Sequence, residues 1–168
     1  MNKRIFGIVL LTIILVAGTV LASCASSKAS AQGGTFSPAK VTAIVNGDNV
    51  SIPASAITAN KNVEFDVVFP QGTATYMAYD YNGIVQVRAS VCVPCQGRSF
   101  TLKGNTLVCD TCGTVFNAQN GKGISGVSAC QNYPKASAAF TKGADGNITM
   151  AEADLLTAFT NTLTPGLP

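Results

Sequence analysis

Hydrophobic and polar positions alternate through the middle of the chain. In "VEFDVVF", Val63, Phe65, Val67 and Phe69 share one side and Glu64 and Asp66 the other, the period of a half-buried strand. Next, "TATYMAYDYNGIVQVRASV" holds two β-rich runs parted by Asn82-Gly83. A two-residue loop needs φ > 0 at both centres, which Asn-Gly supplies, so residues 73–81 and 84–91 are read as a hairpin. Its second strand runs straight into Cys92, which puts the first thiol pair at a sheet edge. A second turn signal, Gly104-Asn105, sits in "RSFTLKGNTLVC" with Phe100, Leu102, Leu107 and Val108 around it. Beyond Cys112, "GTVFNAQNGKGISGVSACQNYP" is glycine rich and is expected to wrap as loop or short strands. Near the end, "ITMAEADLLTAFTN" places Thr149 three residues before Glu152, a capping box, and lines up Leu155, Leu156 and Phe159 as one apolar stripe. The expected fold is mostly β: a small antiparallel β domain with a zinc-ribbon-like four-cysteine knuckle hairpin and one short C-terminal helix.

The N-terminal segment changes the picture of where this domain sits. Lys3 and Arg4 precede the apolar run "IFGIVLLTIILVAGTV", and "LASC" follows. That is a secretory signal over residues 1–23 with a lipobox, in which Cys24 is lipidated and becomes the mature N-terminus. An uncleaved membrane span is the competing reading, since the run is nearly long enough to cross a bilayer. Residues 24–39, rich in Ser, Ala and Gly, read as lipid anchor and flexible linker. Residues 40–168 are then an extracytoplasmic metal-binding domain, large enough for one core. The expected location is the outer face of the cell membrane, held to membrane lipid through Cys24.

Loss of the signal takes Lys3 and Arg4 from the eleven basic residues and leaves nine against eight acidic ones, a formal +1. No basic stripe remains to neutralise a row of phosphates, so nucleic acid is not an expected partner.

The chemistry lies in sulfur. Cys92-x2-Cys95 and Cys109-x2-Cys112 are separated by thirteen residues, and a hairpin between them folds one pair toward the other. Each C-x2-C turn aims two thiolates at one ion while its backbone amides face the sulfurs, and two such turns close a tetrahedron. Gly113, directly after Cys112, supplies the permissive residue where the chain curls around the metal. The chain has no histidine, which excludes His-containing zinc sites, a Rieske centre and every His-based triad. The candidate metal ligands are Cys92, Cys95, Cys109 and Cys112, with Cys130 as a further one or, in the plain structural reading, a small buried hydrophobe. Disulfides are the main competing reading for an exported chain, although bridges across three residues close tiny loops and add little stability. A cycling dithiol is the third, without an evident helix N-terminus to activate it. Copper ligation by Met77 is not expected, because methionine on an alternating strand is ordinarily core. Calcium at Asp145 to Glu152 is not expected either, since Thr141 and Gly143 stand where an EF-hand needs carboxylates.

From about residue 42 to 160 the chain resembles a family of small extracytoplasmic domains described as membrane iron-sulfur-containing and associated with bacterial iron transport. The resemblance rests on "NVSIPASAI", the aromatic strand and hairpin, Cys92 and Cys95, "GNTLVC", Cys109 and Cys112 with Gly113, Phe116, Cys130, and "ITMAEADLLTAF". One stretch departs: the family's later cysteine follows two glycines and precedes Asn-Pro, whereas this chain reads "SACQNYP". The resemblance implies metal handling or electron supply at a membrane, with a permease or redox protein as partner.

Four thiolates fill a tetrahedral ion and leave no open position for water, so Lewis-acid hydrolysis is not expected. Neither paired carboxylates, a nucleophile elbow nor a phosphate-cradling glycine motif is present, and the chain does not read as an ordinary enzyme. The first expectation is therefore a metal-binding lipoprotein that assists membrane iron handling, with zinc favoured over iron or iron-sulfur because zinc better survives oxidising export. The alternatives are a one-electron carrier with an iron-thiolate or iron-sulfur centre and a thiol-disulfide redox protein.

Overall fold

The computed structural model describes residues 33–167. In chain order the elements are β1 (Thr35–Phe36), β2 (Ala39–Lys40), β3 (Ile44–Asn46), β4 (Asn49–Pro53), α1 (Ala54–Asn60), β5 (Asn62–Phe69), β6 (Gly72–Tyr81), β7 (Ile84–Ala89), β8 (Phe100–Lys103), β9 (Thr106–Cys109), β10 (Val115–Asn117), β11 (Gly123–Ser125), α2 (Ser128–Gln131), β12 (Thr141–Lys142), β13 (Asn147–Ala151) and α3 (Glu152–Leu163). They form three sheets, ordered β2-β5-β6-β7, β12-β13-β4-β3 and β1-β8-β9-β10-β11.

The Asn82-Gly83 hairpin forms as the sequence indicates, with Tyr81 opposite Ile84 and Tyr76 opposite Ala89. What the alternation in this region does not reveal is that both faces of β6 are covered. Tyr76 and Ala78 point into one hydrophobic core together with Val63, Phe65, Val67, Ile52, Ile148 and Leu155. Met77 and Tyr79, one residue out of phase, point into a second core with Cys92, Phe100, Leu102, Leu107, Cys109, Phe116 and Cys130. Period 2 thus serves two cores from one strand.

The same covering explains a departure on β5. Glu64 is buried rather than solvated, because the β1–β11 sheet lies over that end of the strand: Asn62 donates to Phe36 O (3.0 Å) and Phe100 O (2.8 Å). Burial raises the Glu64 carboxyl, and Lys40, paired with it across β2 at 3.7 Å, offsets part of that rise. Further along β5, beyond the cover, Asp66 and Val68 are exposed as alternation predicts.

Two expectations about the architecture are corrected. The domain is mostly β but not wholly antiparallel, since β2 runs parallel to β5. Three helices stand where one is expected among the described residues. α1 is seven residues long, too short to show a period; it starts after Pro53 and is stopped by Lys61, whose φ of 63° is left-handed. α3 is the expected C-terminal helix, but no capping box forms. Thr149 lies in β13 and hydrogen-bonds Ser51 Oγ (3.0 Å), while the Glu152 amide donates to Asp48 O (2.8 Å). The buried stripe of α3 is Leu155, Ala158 and Thr162, and Leu156 is exposed.

α3 is tied to the middle sheet by Tyr76, whose Oη donates to Leu155 O at 2.9 Å within the first core. Replacing Tyr76 by Phe leaves that buried carbonyl without this donor and is expected to cost about 1 to 2 kcal/mol in urea unfolding. An unchanged unfolding midpoint would contradict this.

Candidate metal centre

Two short loops of matching form present the paired cysteines. β7 delivers the chain to Cys92, whose amide donates to Gly97 O (2.7 Å) and closes the first loop around Cys95. Cys109 ends β9, and its amide donates to Thr114 O (2.9 Å) while Gly113 N–H donates back to Cys109 O (2.8 Å). The residue after the second cysteine is left-handed in both loops, Gly113 with φ of 70° and Gln96 with φ of 57°. Glycine at the second loop is legible from sequence; glutamine in that conformation at the first is not. The β8–β9 hairpin folds one loop onto the other. Asp110 fastens them, its amide donating to Ser99 O and its carboxylate accepting from the Ser99 and Thr101 hydroxyls at 2.6 and 2.7 Å.

All five described cysteines converge. Cys92 Sγ lies 4.0 Å from Cys112 Sγ, Cys95 Sγ lies 3.8 Å from Cys109 Sγ, and Cys130 Sγ lies 3.9 Å from Cys112 Sγ. The sulfurs of Cys92, Cys95, Cys112 and Cys130 are all within 4.8 Å of one another. Thiolates bound about 2.3 Å from an ion at tetrahedral corners stand about 3.8 Å apart, so this group has the span of one metal ion. The five thiols are free, and the quoted separations are far longer than a disulfide's roughly 2.05 Å. Relative to the expected quartet, α2 carries Cys130 into the group, and Cys109 stands outside it beside Cys95. No spacing rule points to Cys130, since its helix lies beyond an irregular glycine-rich stretch.

The sulfurs differ in their surroundings. Cys92, Cys109 and Cys130 are buried, whereas Cys95 and Cys112 reach the surface in part. Burial pushes the Cys92 thiol strongly upward, Cys109 up to about 11, and Cys130 upward as well. At Cys112 burial also acts upward, but the Thr114 hydroxyl, 3.1 Å from Sγ, and the Thr114 backbone, with smaller contributions from the Cys95 and Cys109 thiols, outweigh it and bring the thiol down to about 6.

One cation belongs to this core and is absent from any sequence expectation. Lys135 is fully buried, and its Nζ donates to Val91 O and Tyr133 O, both at 2.7 Å. Burial lowers its ammonium to about 8, opposed by Cys92, Cys109, Cys130 and Cys95, which favour the charged form. Nothing in the sequence separates it from a surface lysine. Met77 belongs to the same core as the cysteines.

The fold and this cysteine core define a sulfur-based metal-binding domain. Residues 67–160 match the family described as "Membrane iron-sulfur containing protein FtrD-like", and the chain belongs to that family. Comparison with curated proteins gives no match. Among solved structures, a chain of a "Complex of reduced oxygenase and oxidized ferredoxin in carbazole 1,9a- dioxygenase" is similar with a TM-score of 0.49 and 20% identity, over 64% of this chain and 95% of that one.

Two expectations are corrected here. Thiolates alone accept zinc as readily as iron, and the expected preference for zinc is overturned by membership of an iron-sulfur-containing family. The expectation of a membrane-anchored, extracytoplasmic lipoprotein is corrected as follows. No helix among the described residues is long and apolar enough to cross a membrane, and the signal and Cys24 lie outside the described residues.

In metal-free protein Cys112 is expected to be the first thiol alkylated by iodoacetamide at neutral pH, with a rate that climbs as pH rises through about 6. Thr114→Val removes the hydroxyl and is expected to move that rise to higher pH. Peptide mapping after brief labelling checks both, and preferential labelling of Cys95 in the wild type would contradict the assignment.

Proposed function

We propose that the protein is a one-electron carrier whose centre is an iron–sulfur site held by Cys92, Cys95, Cys112 and Cys130, with Cys109 as an adjacent thiol outside the ligand set. The observation that carries the reading is the group of four thiol sulfurs, mutually within 4.8 Å, in the core of a chain that belongs to an iron-sulfur-containing family. The donor set fits: sulfur alone, from two backbone loops and one helix, with Phe100, Leu102, Leu107 and Phe116 packed around it. Such a centre supplies one-electron chemistry without an open coordination position.

This chain's own residues supply the rest. The zinc-ribbon-like pair of C-x2-C loops joined by the β8–β9 hairpin holds Cys92, Cys95 and Cys112, and α2 holds Cys130, so little reorganisation accompanies a change of charge. The apolar second core excludes water. The partly exposed Cys95 and Cys112 bring the centre's edge to the surface, where a redox partner protein can approach, whereas Cys92 and Cys130 stay covered.

The test is anoxic purification with iron and acid-labile sulfide analysis and a visible spectrum, on the wild type and on five single Cys→Ser variants. Wild-type protein is expected to carry iron with sulfur-to-iron charge-transfer bands. Cys92→Ser, Cys95→Ser, Cys112→Ser and Cys130→Ser are expected to lose most of the iron, and Cys109→Ser to keep it. Loss of iron from Cys109→Ser with retention in Cys130→Ser would contradict the proposed ligand set. Colourless protein without iron would end the electron-carrier reading.

A further inference from the structure

Lys135 stands in the second core with no carboxylate beside it. Among the described residues the two ion pairs are Lys40–Glu64 and Lys61–Asp80. Lys135 instead gives two of its three N–H donors to the carbonyls of Val91 and Tyr133, and its Nζ faces the rings of Phe116, 4.4 Å from the centroid, and Phe100, 5.5 Å away. Val91 directly precedes Cys92, and both rings pack in the core that holds Cys92, Cys109 and Cys130. Carbonyl dipoles and ring faces soften the burial of a full charge but do not neutralise it. A buried cation needs an opposite charge, and the negative groups of this core are the thiolates.

The residue is held there from several sides. Its amide donates to Gly121 O (2.9 Å), and its carbonyl accepts from Arg88 Nη1 (2.7 Å). Arg88 is itself buried and braced by Nε donating to Tyr79 Oη (2.9 Å) and Nη2 to Gln119 O (2.6 Å). A Cβ on Gly121 would run into the Lys135 carbonyl, so the chain passes there at a distance only glycine permits. This much structure around one lysine fixes where its charge lies.

Resting on the iron–sulfur reading above, we propose that Lys135 is the internal counter-charge of the centre and sets its reduction potential, holding it higher than the thiolates alone would give. When the centre gains one electron its net charge becomes one unit more negative, with no bond made or broken, and a fixed positive charge in a dry core favours that state. Lys135 is a positioning residue in this role; it does not bind the metal.

The experiment is a redox titration of anoxically prepared full chain with dithionite as the electron donor, comparing wild type with Lys135→Met and Lys135→Gln. Methionine keeps an unbranched stem one heavy atom shorter than that of lysine and carries no charge. Glutamine keeps two N–H donors for the Val91 and Tyr133 carbonyls, so it separates loss of charge from loss of hydrogen bonds. Both variants are expected to keep the wild-type iron content and visible bands. At fixed applied potential, both are expected to show at least a tenfold lower ratio of reduced to oxidised centre, which is a fall of about 59 mV for one electron. Variants that retain iron and titrate with the wild type, or at higher potential, would overturn the proposal. Loss of iron from both would also overturn it, making Lys135 a requirement for assembly. Absence of iron from the wild type would instead remove the iron–sulfur reading on which it rests.

Discussion

The structure depends on one constraint: strand β6 must be buried on both faces. A strand offers its neighbours two sides in strict alternation. Here Tyr76 and Ala78 complete a core built with β4, β13 and α3, while Met77 and Tyr79 complete the core that contains the cysteines. Tyr79 carries this further, because its hydroxyl donates to Ala118 O and accepts from Arg88 Nε, and Arg88 in turn holds the Lys135 carbonyl. A slip of one residue in β6 would exchange the two faces and lose both cores at once.

From that sheet the metal centre follows by short local steps. β7 ends at the first cysteine loop, and the β8–β9 hairpin turns the second loop to face it. The glycine-rich stretch after β10 then returns α2, so that Cys130 meets the paired cysteines. Most of these steps are backbone geometry, which explains why the sulfurs converge in a chain with few charged side chains. The result is an all-sulfur site with two of its sulfurs partly at the surface.

The local features of this design were legible in the sequence, and the long-range ones were not. The Asn82-Gly83 turn, the alternating β5, the C-x2-C loops and Gly113 each announce themselves through residues within a few positions of one another. Glu64, Cys130 and Lys135 have their roles decided by elements far away in the chain. An acid on an alternating strand reads as solvated until another sheet covers it, and a lysine near a proline reads as surface. Thr149 and Glu152 show the opposite failure: the spacing of a capping box is present, but β13 claims Thr149 for the ladder with β4. The preference for zinc had a different origin, since four thiolates suit either metal and only the family distinguishes them.

The claim that ties fold to function is that sulfur alone surrounds iron in this core. X-ray absorption at the iron edge of anoxically prepared protein tests it most directly. The account predicts a first shell of sulfur only, at about 2.3 Å, the distance typical of metal–thiolate bonds. Nitrogen or oxygen neighbours in that shell would contradict it.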